Sequence, residues 1–458
     1  MESIQASPFG NRLDAEFYLP KYLTAEKTIN QKGFYSLREI TTKIDVGHVG
    51  PMVNEYTHDG VWLLQTQNVR EFFLSGTKMT YISSKFHNQI DKSKVRENDI
   101  LIARSGSFGV ASILLDSSEV NSADVIIIRC LEGKINPCYL VTYLNCKYGV
   151  NQLMRFASGG LQGHVNLTIL EHLKVCNVSK SVQEYIELII HKSYTVLNES
   201  NLLFSQAQHL LLNELGLIDW NPKHSLSFVK NYSHTQNADR IDADHFQPKY
   251  VEIEESIRNH PGGWDTLGNL VDIQDSNFRP EEEIEYSYIE LANIGINGEI
   301  TECTISKGRD LPTRARRRVE MGDVIVSSIE GSLDSIALIG KQHDQALCST
   351  GFHILRSKVI NSETLLVLMK SIIGQYQLRK GCAGTILSAI SKNWLGSLYL
   401  PRVREEIQVQ IRQKTVDSVN LRERSKHLLE CAKRSIEIAI EQDEQTAIDW
   451  LDNNTEGR

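Results

Sequence analysis

The residues of this sequence that are best suited to a binding function are basic and small polar residues. Such residues bind anions. Four arginines lie within the five positions 314–318, and the wider segment 307–318 holds six lysines and arginines against one aspartate. Guanidinium groups bind phosphate oxygens through a rigid fork of donors. We predict that this segment is a loop and that Arg314, Arg316 and Arg317 contact phosphate. A solvated loop, or a loop that contacts the acidic C-terminus, is the alternative.

Two short polar segments combine glycines with side chains suited to holding a nucleic acid. The first follows an apolar run and presents Arg104, Ser105 and Ser107, for which a hairpin turn with a surface arginine is the alternative. The second precedes a predicted helix, where free backbone amides bind phosphate, and its alternative is a capping loop that packs the domain. Its candidate residues are Gly160, Gln162, His164 and Asn166, and those of the matching segment in the second half are Ser388, Ser391 and Lys392.

Residue patterns that would catalyse a reaction are missing from the sequence. It has no phosphate-binding G-x-x-x-x-G-K-[ST] loop, no Asn-Pro-Pro-Tyr motif, no H-E-x-x-H and no G-x-S-x-G. The acidic run Glu281–Glu285 is more typical of a solvated turn than of a metal site. The eight cysteines are scattered without zinc spacing and are predicted to be reduced thiols. We predict no catalytic residue, no metal and no cofactor bound by this chain.

Composition predicts a globular protein away from membranes. The chain has 458 residues, of which 41% are hydrophobic and 23% charged, enough apolar residues for real cores. No apolar run approaches the roughly 18 residues that span a bilayer, and the first residues lack a signal peptide, so we predict a cytoplasmic location. The net charge of −8 lies mostly in the last 22 residues, with seven acids and one arginine, so a basic face elsewhere is compatible with binding DNA.

The sequence contains two copies of one pattern. Residues 12–22 and 240–250 agree at six of eleven positions, and six further blocks match in the same order at offsets of 224 to 228. Collinear blocks at a nearly constant offset indicate internal duplication. Each copy has a region of about 160 residues with short strand-like runs broken by turn residues, and then a helical stretch.

The helical stretches predict two long amphipathic helices near 182–215 and 405–442. Their apolar seams have coiled-coil spacing. Because each helix is long for one buried in a single small domain, we favour packing of one helix against the other over packing against each helix's own domain. The seam residues are Ile190, Leu197, Phe204, Leu211, Leu428, Ala432 and Ile436. We therefore predict an α+β fold with two similar mixed α/β domains, 1–180 and 219–402. They are separated by a spacer of two antiparallel helices, 181–218 and 403–458, in a pseudo-twofold duplication whose last segment is an acidic tail.

With these features the chain resembles the specificity (S) subunit of type I restriction–modification enzymes, over nearly its whole length. Segments 99–114 and 348–356 are similar to a family strand with its Arg-Ser-Gly-Ser turn and to a later strand, and segment 158–170 to its Gly-rich loop. Segments 323–332 and 383–395 occupy the corresponding places in the second half. There are departures: the Arg-Ser turn becomes Ser-Ile-Glu at 328–330, only the second half keeps the apolar-Pro strand, and the Gln-rich helix starts are reduced to Gln183 and Gln408.

The resemblance implies a non-catalytic reader of double-stranded DNA. In that family each globular domain reads half of a bipartite, asymmetric site, and the helices set the gap and dock two methyltransferase subunits, which bind S-adenosylmethionine. Motor-nuclease subunits complete the restriction complex, and no membrane is involved. Three alternatives stay open: a specificity subunit of a related modification or phage-defence system, a helix-mediated scaffold without DNA reading, and a nuclease with an unrecognised arrangement of carboxylates and lysines.

Overall fold

The computed structural model describes residues 14–104, 109–157, 167–222, 224–301, 303–382 and 389–455. The chain forms two compact units. Unit 1 comprises Met1–Leu197 and Arg422–Arg458, and unit 2 comprises Asn198–Leu421. Both boundaries fall inside long helices, so each unit contains part of the same two helices.

Unit 1 is built on three β-sheets. Their strand orders are β3-β6-β4-β10-β7, β2-β11-β8-β9-β5 and β1-β12. The strands are β1 (Phe34–Ser36), β2 (Thr41–Val46), β3 (Tyr56–Thr57), β4 (Val61–Leu64), β5 (Phe72–Phe73), β6 (Thr80–Ile82), β7 (Lys94–Val95), β8 (Ile100–Ala103), β9 (Ala111–Ile113), β10 (Val120–Ser122), β11 (Val125–Cys130) and β12 (Lys174–Cys176). The continuous apolar run of β8 is buried on both faces, Ile100 and Ile102 in one core and Leu101 and Ala103 in another.

Helices cover the core that contains Ile100 and Ile102. They are α1 (Pro20–Lys32), α2 (Ser84–Gln89), α3 (Pro137–Asn145), α4 (Lys147–Ala157), α5 (Leu167–Leu170) and the first part of the long helix α6 (Lys180–Glu214). Helix α3 begins at Pro137 because the Asn136 side chain accepts hydrogen bonds from the amides of Cys138 and Tyr139, and proline fits a first helical position.

Unit 2 repeats this arrangement. Its helices are α7 (Tyr232–Ala238), α8 (Pro248–Arg258), α9 (Leu267–Leu270), α10 (Ser362–Lys370), α11 (Ile372–Gly381) and α12 (Lys392–Ser397). Its strands are β13 (Trp264–Thr266), β14 (Val271–Gln274), β15 (Glu285–Ile289), β16 (Thr304–Lys307), β17 (Ala315–Arg318), β18 (Val324–Ser327), β19 (Ile336–Leu338), β20 (Leu347–Ser349), β21 (Phe352–Ser357) and β22 (Tyr399–Pro401). The sheet orders β16-β15-β20-β17, β14-β21-β18-β19 and β13-β22 match those of unit 1 strand for strand, apart from an edge strand on each larger sheet.

Buried polar contacts repeat with the sheets. The carboxylate of Asp99 binds the Arg129 guanidinium at two points, 2.6 and 2.7 Å, and Asp323 binds Arg356 in the same way at 2.9 and 3.0 Å. Both carboxylates are almost completely buried. The predicted duplication is therefore present in topology and in individual side-chain contacts.

The two glutamines that remain of the Gln-rich helix starts also make equivalent contacts. The side-chain oxygen of Gln183 accepts a hydrogen bond from the amide of Asn136 at 2.9 Å, and that of Gln408 accepts one from the amide of Asn361 at 3.2 Å. Each glutamine thereby ties the first turn of a long helix to the start of a helix in its own unit.

The long helices α6 and α13 (Glu405–Glu441) have nearly the predicted bounds, and their segments run antiparallel within each unit. In unit 1 the buried hydroxyls of Ser193 and Ser425 lie 2.8 Å apart, and each also donates to the other's backbone oxygen. In unit 2 Ser200 and Ser418 repeat this reciprocal pair at 3.1 Å. Small hydroxyl-bearing residues let the helices approach closely, which supports one register of the seam.

The acidic C-terminal segment is helical rather than a free tail. Helix α14 (Glu444–Thr455) buries Ala447 and Leu451 in the cores of unit 1. The carboxylates of Asp449 and Asp452 are exposed on this packed helix, and Glu444 accepts a hydrogen bond from the amide of Ser179 at 3.1 Å.

Candidate nucleic-acid interface

Arg316, Arg317 and Arg318 lie on the edge strand β17 of unit 2, so the prediction of a loop is wrong for them, whereas Arg314 lies in the turn before the strand. Among the described residues strand β17 pairs with β20 alone, and the register shifts between Ala315 and Arg317, which leaves Arg316 as the extra residue of a β-bulge. The bulge turns the Arg316 side chain out of the ladder, and the side chains of Arg314 and Arg316 are exposed. An edge strand with a bulge and charged residues resists pairing with another strand and remains available to a ligand.

The arginines are held by neutral groups. The Arg316 guanidinium donates to the backbone oxygen of Thr313 at 2.7 Å, and that of Arg318 lies 5.1 Å from the ring centre of Phe278. Half-buried Arg317 donates to the backbone oxygen of Gln274 at 3.3 Å. In the part of the chain that the structure describes, no carboxylate forms an ion pair with any of them. The charge of Arg317 acts on Asp275 and that of Arg318 acts on Asp344. The positive charge of the exposed Arg314 and Arg316 is therefore the part that is available for an anion.

Two candidate segments of unit 2 meet around Asp275. The ammonium of Lys392 lies 2.9 Å from the Asp275 carboxylate, and this contact, together with the charge of Arg317, lowers the pKa of Asp275. Ser391 caps helix α12 by accepting the amide of Trp394, so its hydroxyl is engaged in structure. The nearby His353 has a pKa lowered by burial and by the charges of Arg317 and Lys392, which favours the neutral imidazole.

The corresponding basic residues of unit 1 are paired with acids. Arg104 binds the Asp124 carboxylate at 2.8 Å. Lys92 and Lys94, which correspond to Arg316 and Arg318 at the offset of 224, lie 3.0 Å from carboxylates of Asp45 and Asp91 respectively. Unit 1 thus places Lys92 and Lys94 at the positions of Arg316 and Arg318 but pairs them with acids, and Arg104 corresponds to Ser328 of unit 2.

Seven predicted contact residues lie outside the described residues. They are Ser105, Ser107, Gly160, Gln162, His164, Asn166 and Ser388.

The predicted docking residues on the long helices face inward. Ile190, Leu428, Ala432 and Ile436 belong to the core of unit 1, with Leu197 packed against it, and Phe204 and Leu211 belong to the core of unit 2. Because these side chains are buried within the chain, a partner on the helices would meet other residues. The exposed apolar side chains of the two helices are Tyr185, Leu188, Leu202, Val409, Val416 and Val419.

One group of side chains that could bind a metal ion was not predicted from the sequence. Cys138 on α3 lies beside Glu187 and His191 on α6, with their ligand-type atoms all within 4.8 Å of one another. Only the spacing of Glu187 and His191, one helical turn apart, was visible in the sequence, because the fold supplies the cysteine from a distant segment.

Comparisons with known proteins give a structural resemblance only. No family model matches the sequence, and no curated protein matches it.

Among the described residues, no helix combines the length and apolar character needed to cross a bilayer.

The resemblance extends over most of the chain. A type I restriction–modification system S subunit from M. genitalium is 13% identical, with 92% of this chain and 95% of that chain covered and a TM-score of 0.35. An HsdS subunit from Thermoanaerobacter tengcongensis is 14% identical, with 90% and 97% covered and a TM-score of 0.29. A structure described for assembly of the type I system is 14% identical, with 90% and 98% covered and a TM-score of 0.29. The solved structures that this chain resembles thus include type I specificity subunits, the family that its sequence resembles.

Proposed function

We propose that this chain is the DNA-specificity subunit of a type I restriction–modification complex. Each unit reads one half of a bipartite, asymmetric site on double-stranded DNA. The long helices set the gap between the half-sites and dock two methyltransferase subunits, to which restriction subunits add. The chain itself is non-catalytic, and S-adenosylmethionine binds to the methyltransferase.

The observation that carries this proposal is a duplication whose buried contacts repeat while its exposed charges differ. The Asp–Arg pairs and the helix-anchoring glutamines keep one fold in both units. Lys92, Lys94 and Arg104 of unit 1 are paired with acids, whereas no carboxylate among the described residues forms an ion pair with Arg314 or Arg316 of unit 2. Two copies of one fold with different surfaces suit two different half-sites, because phosphate contacts position a protein and groove contacts specify the sequence.

The exposed apolar side chains of the helices support the docking part of the proposal. Leu188 is 64% exposed, Leu202 is 56% exposed and Val409 is 59% exposed, although each lies on a helix whose other face is packed. Exposed apolar residues on a well-packed helix are suited to burial in an interface with a partner protein. Leu188 lies in unit 1, and Leu202 and Val409 lie in unit 2, so each unit offers such residues, which suits two copies of one partner.

Co-expression with the genomic neighbours tests the proposal directly. The chain is tagged and purified, and a partner with an adenine-methyltransferase signature is expected at two copies per chain. Methylation by that complex, mapped on genomic DNA, should fall in a bipartite sequence with two different halves.

The other outcomes separate the alternatives. A different modification enzyme in the purified complex would place the chain in a related defence system. A stable complex that binds no DNA would indicate a scaffold, and metal-dependent cleavage by the chain alone would indicate a nuclease. Any of these results would contradict the proposed function.

A further inference from the structure

We infer that Cys138, Glu187 and His191 form a binding site for a zinc-type divalent transition metal, which ties the long helix α6 to helix α3 of unit 1. The three ligand-type atoms, a thiol sulfur, a carboxylate oxygen and an imidazole nitrogen, lie within 4.8 Å of one another. Sulfur and imidazole nitrogen select Zn²⁺ and its neighbours over Mg²⁺ or Ca²⁺. The inference does not depend on the proposed function.

In unit 2, the second copy of the fold, the positions equivalent to two of these ligands form an ion pair. At the offset of 225, Cys138 corresponds to Glu363 and Glu187 corresponds to Arg412. In unit 2 these two residues face each other across α10 and α13 as an ion pair, with 3.7 Å between Arg412 Nε and Glu363 Oε1. A cation therefore joins the long helix to the domain helix at this junction in unit 2.

Unit 1 keeps a carboxylate at this junction but lacks the arginine. No lysine or arginine among the described residues forms an ion pair with Glu187, which is half-buried. A divalent ion bound beside Glu187 would supply the positive charge that Arg412 supplies in unit 2. The third ligand fits this interpretation, because His191 stands one helical turn beyond Glu187 on the same face of α6.

Metal binding would require only a small decrease in the distances between the three ligand atoms. Tetrahedral zinc with bonds of about 2.0 to 2.3 Å places its ligand atoms roughly 3.5 Å apart. The side chain of His191 is exposed and free to change rotamer, whereas Cys138 is fixed at the start of a packed helix. Rotation of His191 and Glu187 toward the sulfur would therefore complete a three-ligand site, with solvent as the fourth ligand.

Binding to this site exchanges a proton for the metal. Burial, with a further contribution from the charge of Glu187, raises the pKa of the Cys138 thiol to about 12, so the sulfur is protonated in the metal-free chain. Metal entry forms a metal–thiolate bond and releases one proton to solvent, with no change in oxidation state.

Cobalt titration of the full-length chain, after treatment with EDTA and desalting under reducing conditions, tests the inference. We expect one Co²⁺ per chain, a thiolate-to-cobalt charge-transfer band in the near ultraviolet and the strong visible bands of tetrahedral cobalt. One equivalent of Zn²⁺ should remove these bands. Absence of the charge-transfer band at saturating Co²⁺ would overturn the inference.

Variants locate the site within the chain. Cys138→Ser should abolish the charge-transfer band, whereas Cys431→Ser should keep it, although the Cys431 sulfur lies 3.5 Å from His427 Nε2. The opposite result would assign cobalt to Cys431 and refute the inference.

An exposed residue provides a test that does not threaten folding. His191→Ala should weaken Co²⁺ binding about tenfold or more, and His209→Ala, which removes another exposed histidine of α6, should leave it unchanged. Equal effects of the two substitutions would refute a role for His191. Circular dichroism of each variant verifies that the helices are intact.

Discussion

Removal of the exposed Arg314 and Arg316, just before and on strand β17, should weaken DNA binding in a way that depends on salt. Arg314 and Arg316 are exposed, and no carboxylate among the described residues forms an ion pair with either of them, so the double variant Arg314→Ala, Arg316→Ala removes two available charges. Arg317 is kept because it is half-buried and its guanidinium donates to the backbone oxygen of Gln274. The variant should therefore retain the fold of unit 2.

The magnitude follows from counterion release. Each phosphate contact contributes about 0.9 to the slope of log affinity against log salt, so two lost contacts should reduce the slope by up to about 1.8. The loss of affinity is largest at low salt and should shrink about tenfold between 50 and 200 mM salt, because the missing contacts are the salt-dependent ones. Since phosphate contacts carry no sequence information, the loss should be equal on unrelated duplexes.

Filter-binding titrations of the purified complex at several salt concentrations, with two duplexes of unrelated sequence, measure both quantities. The matched control is Lys92→Ala, Lys94→Ala, which removes two equivalent cations of unit 1 that are already paired with Asp45 and Asp91. Its slope should change by less than that of the arginine variant. An unchanged slope in the arginine variant, or equal changes in both variants, would refute the reasoning.

Three further predictions concern the framework of unit 2. Gly374→Ala should destabilise it by about 1 to 3 kcal/mol in urea unfolding, because a Cβ atom would lie 2.6 Å from a backbone oxygen of the preceding helix, whereas Gly331→Ala meets nothing within 4 Å and should change stability by less than about 1 kcal/mol. Asp323→Ala should cost roughly 2 to 3 kcal/mol by the same measurement, because it removes a buried carboxylate that holds an arginine at two points, although that arginine is partly exposed. Hydrogen bonds from Arg404 lower the pKa of Glu214 below 4.5, so this contact stabilises the fold above pH 4.5 and is lost as the pH falls through the folded-state pKa. The destabilising effect of Arg404→Ala should therefore disappear in acid unfolding curves at low pH.

The sequence predicted the large elements because their signals are long and repeated. Helices α6 and α13 have the expected bounds within two residues, since an amphipathic pattern of more than thirty residues is difficult to mistake. The duplication was visible because the offset between matching segments is nearly constant. These two features suffice to predict a repeated α/β unit with long antiparallel helices.

Local features that depend on tertiary contacts were missed. The arginines of β17 have the composition of a loop, and only pairing with β20 makes them a strand. The acidic composition of the C-terminal residues suggested a tail, although Ala447, Ile448 and Leu451 form an apolar face on one side of a helix. The Ser193–Ser425 pair was not identified because serines in an apolar seam give no periodic signal, and their value depends on the helix opposite.

The difference in charge compensation bears on how the two halves of a DNA site would be bound. A duplex presents the same phosphate charge along its whole length, so unequal charge on the protein cannot reflect unequal charge on the ligand. In unit 1 Lys92 and Arg104 are already engaged by carboxylates, and a phosphate would have to displace Asp45 or Asp124 to reach them. In unit 2 no carboxylate among the described residues forms an ion pair with Arg316, whereas Lys392 is engaged by Asp275. Under the proposed function, unit 2 therefore contributes more of the salt-dependent affinity, and at high salt unit 1 retains proportionally more of its binding, because its contacts depend less on released counterions.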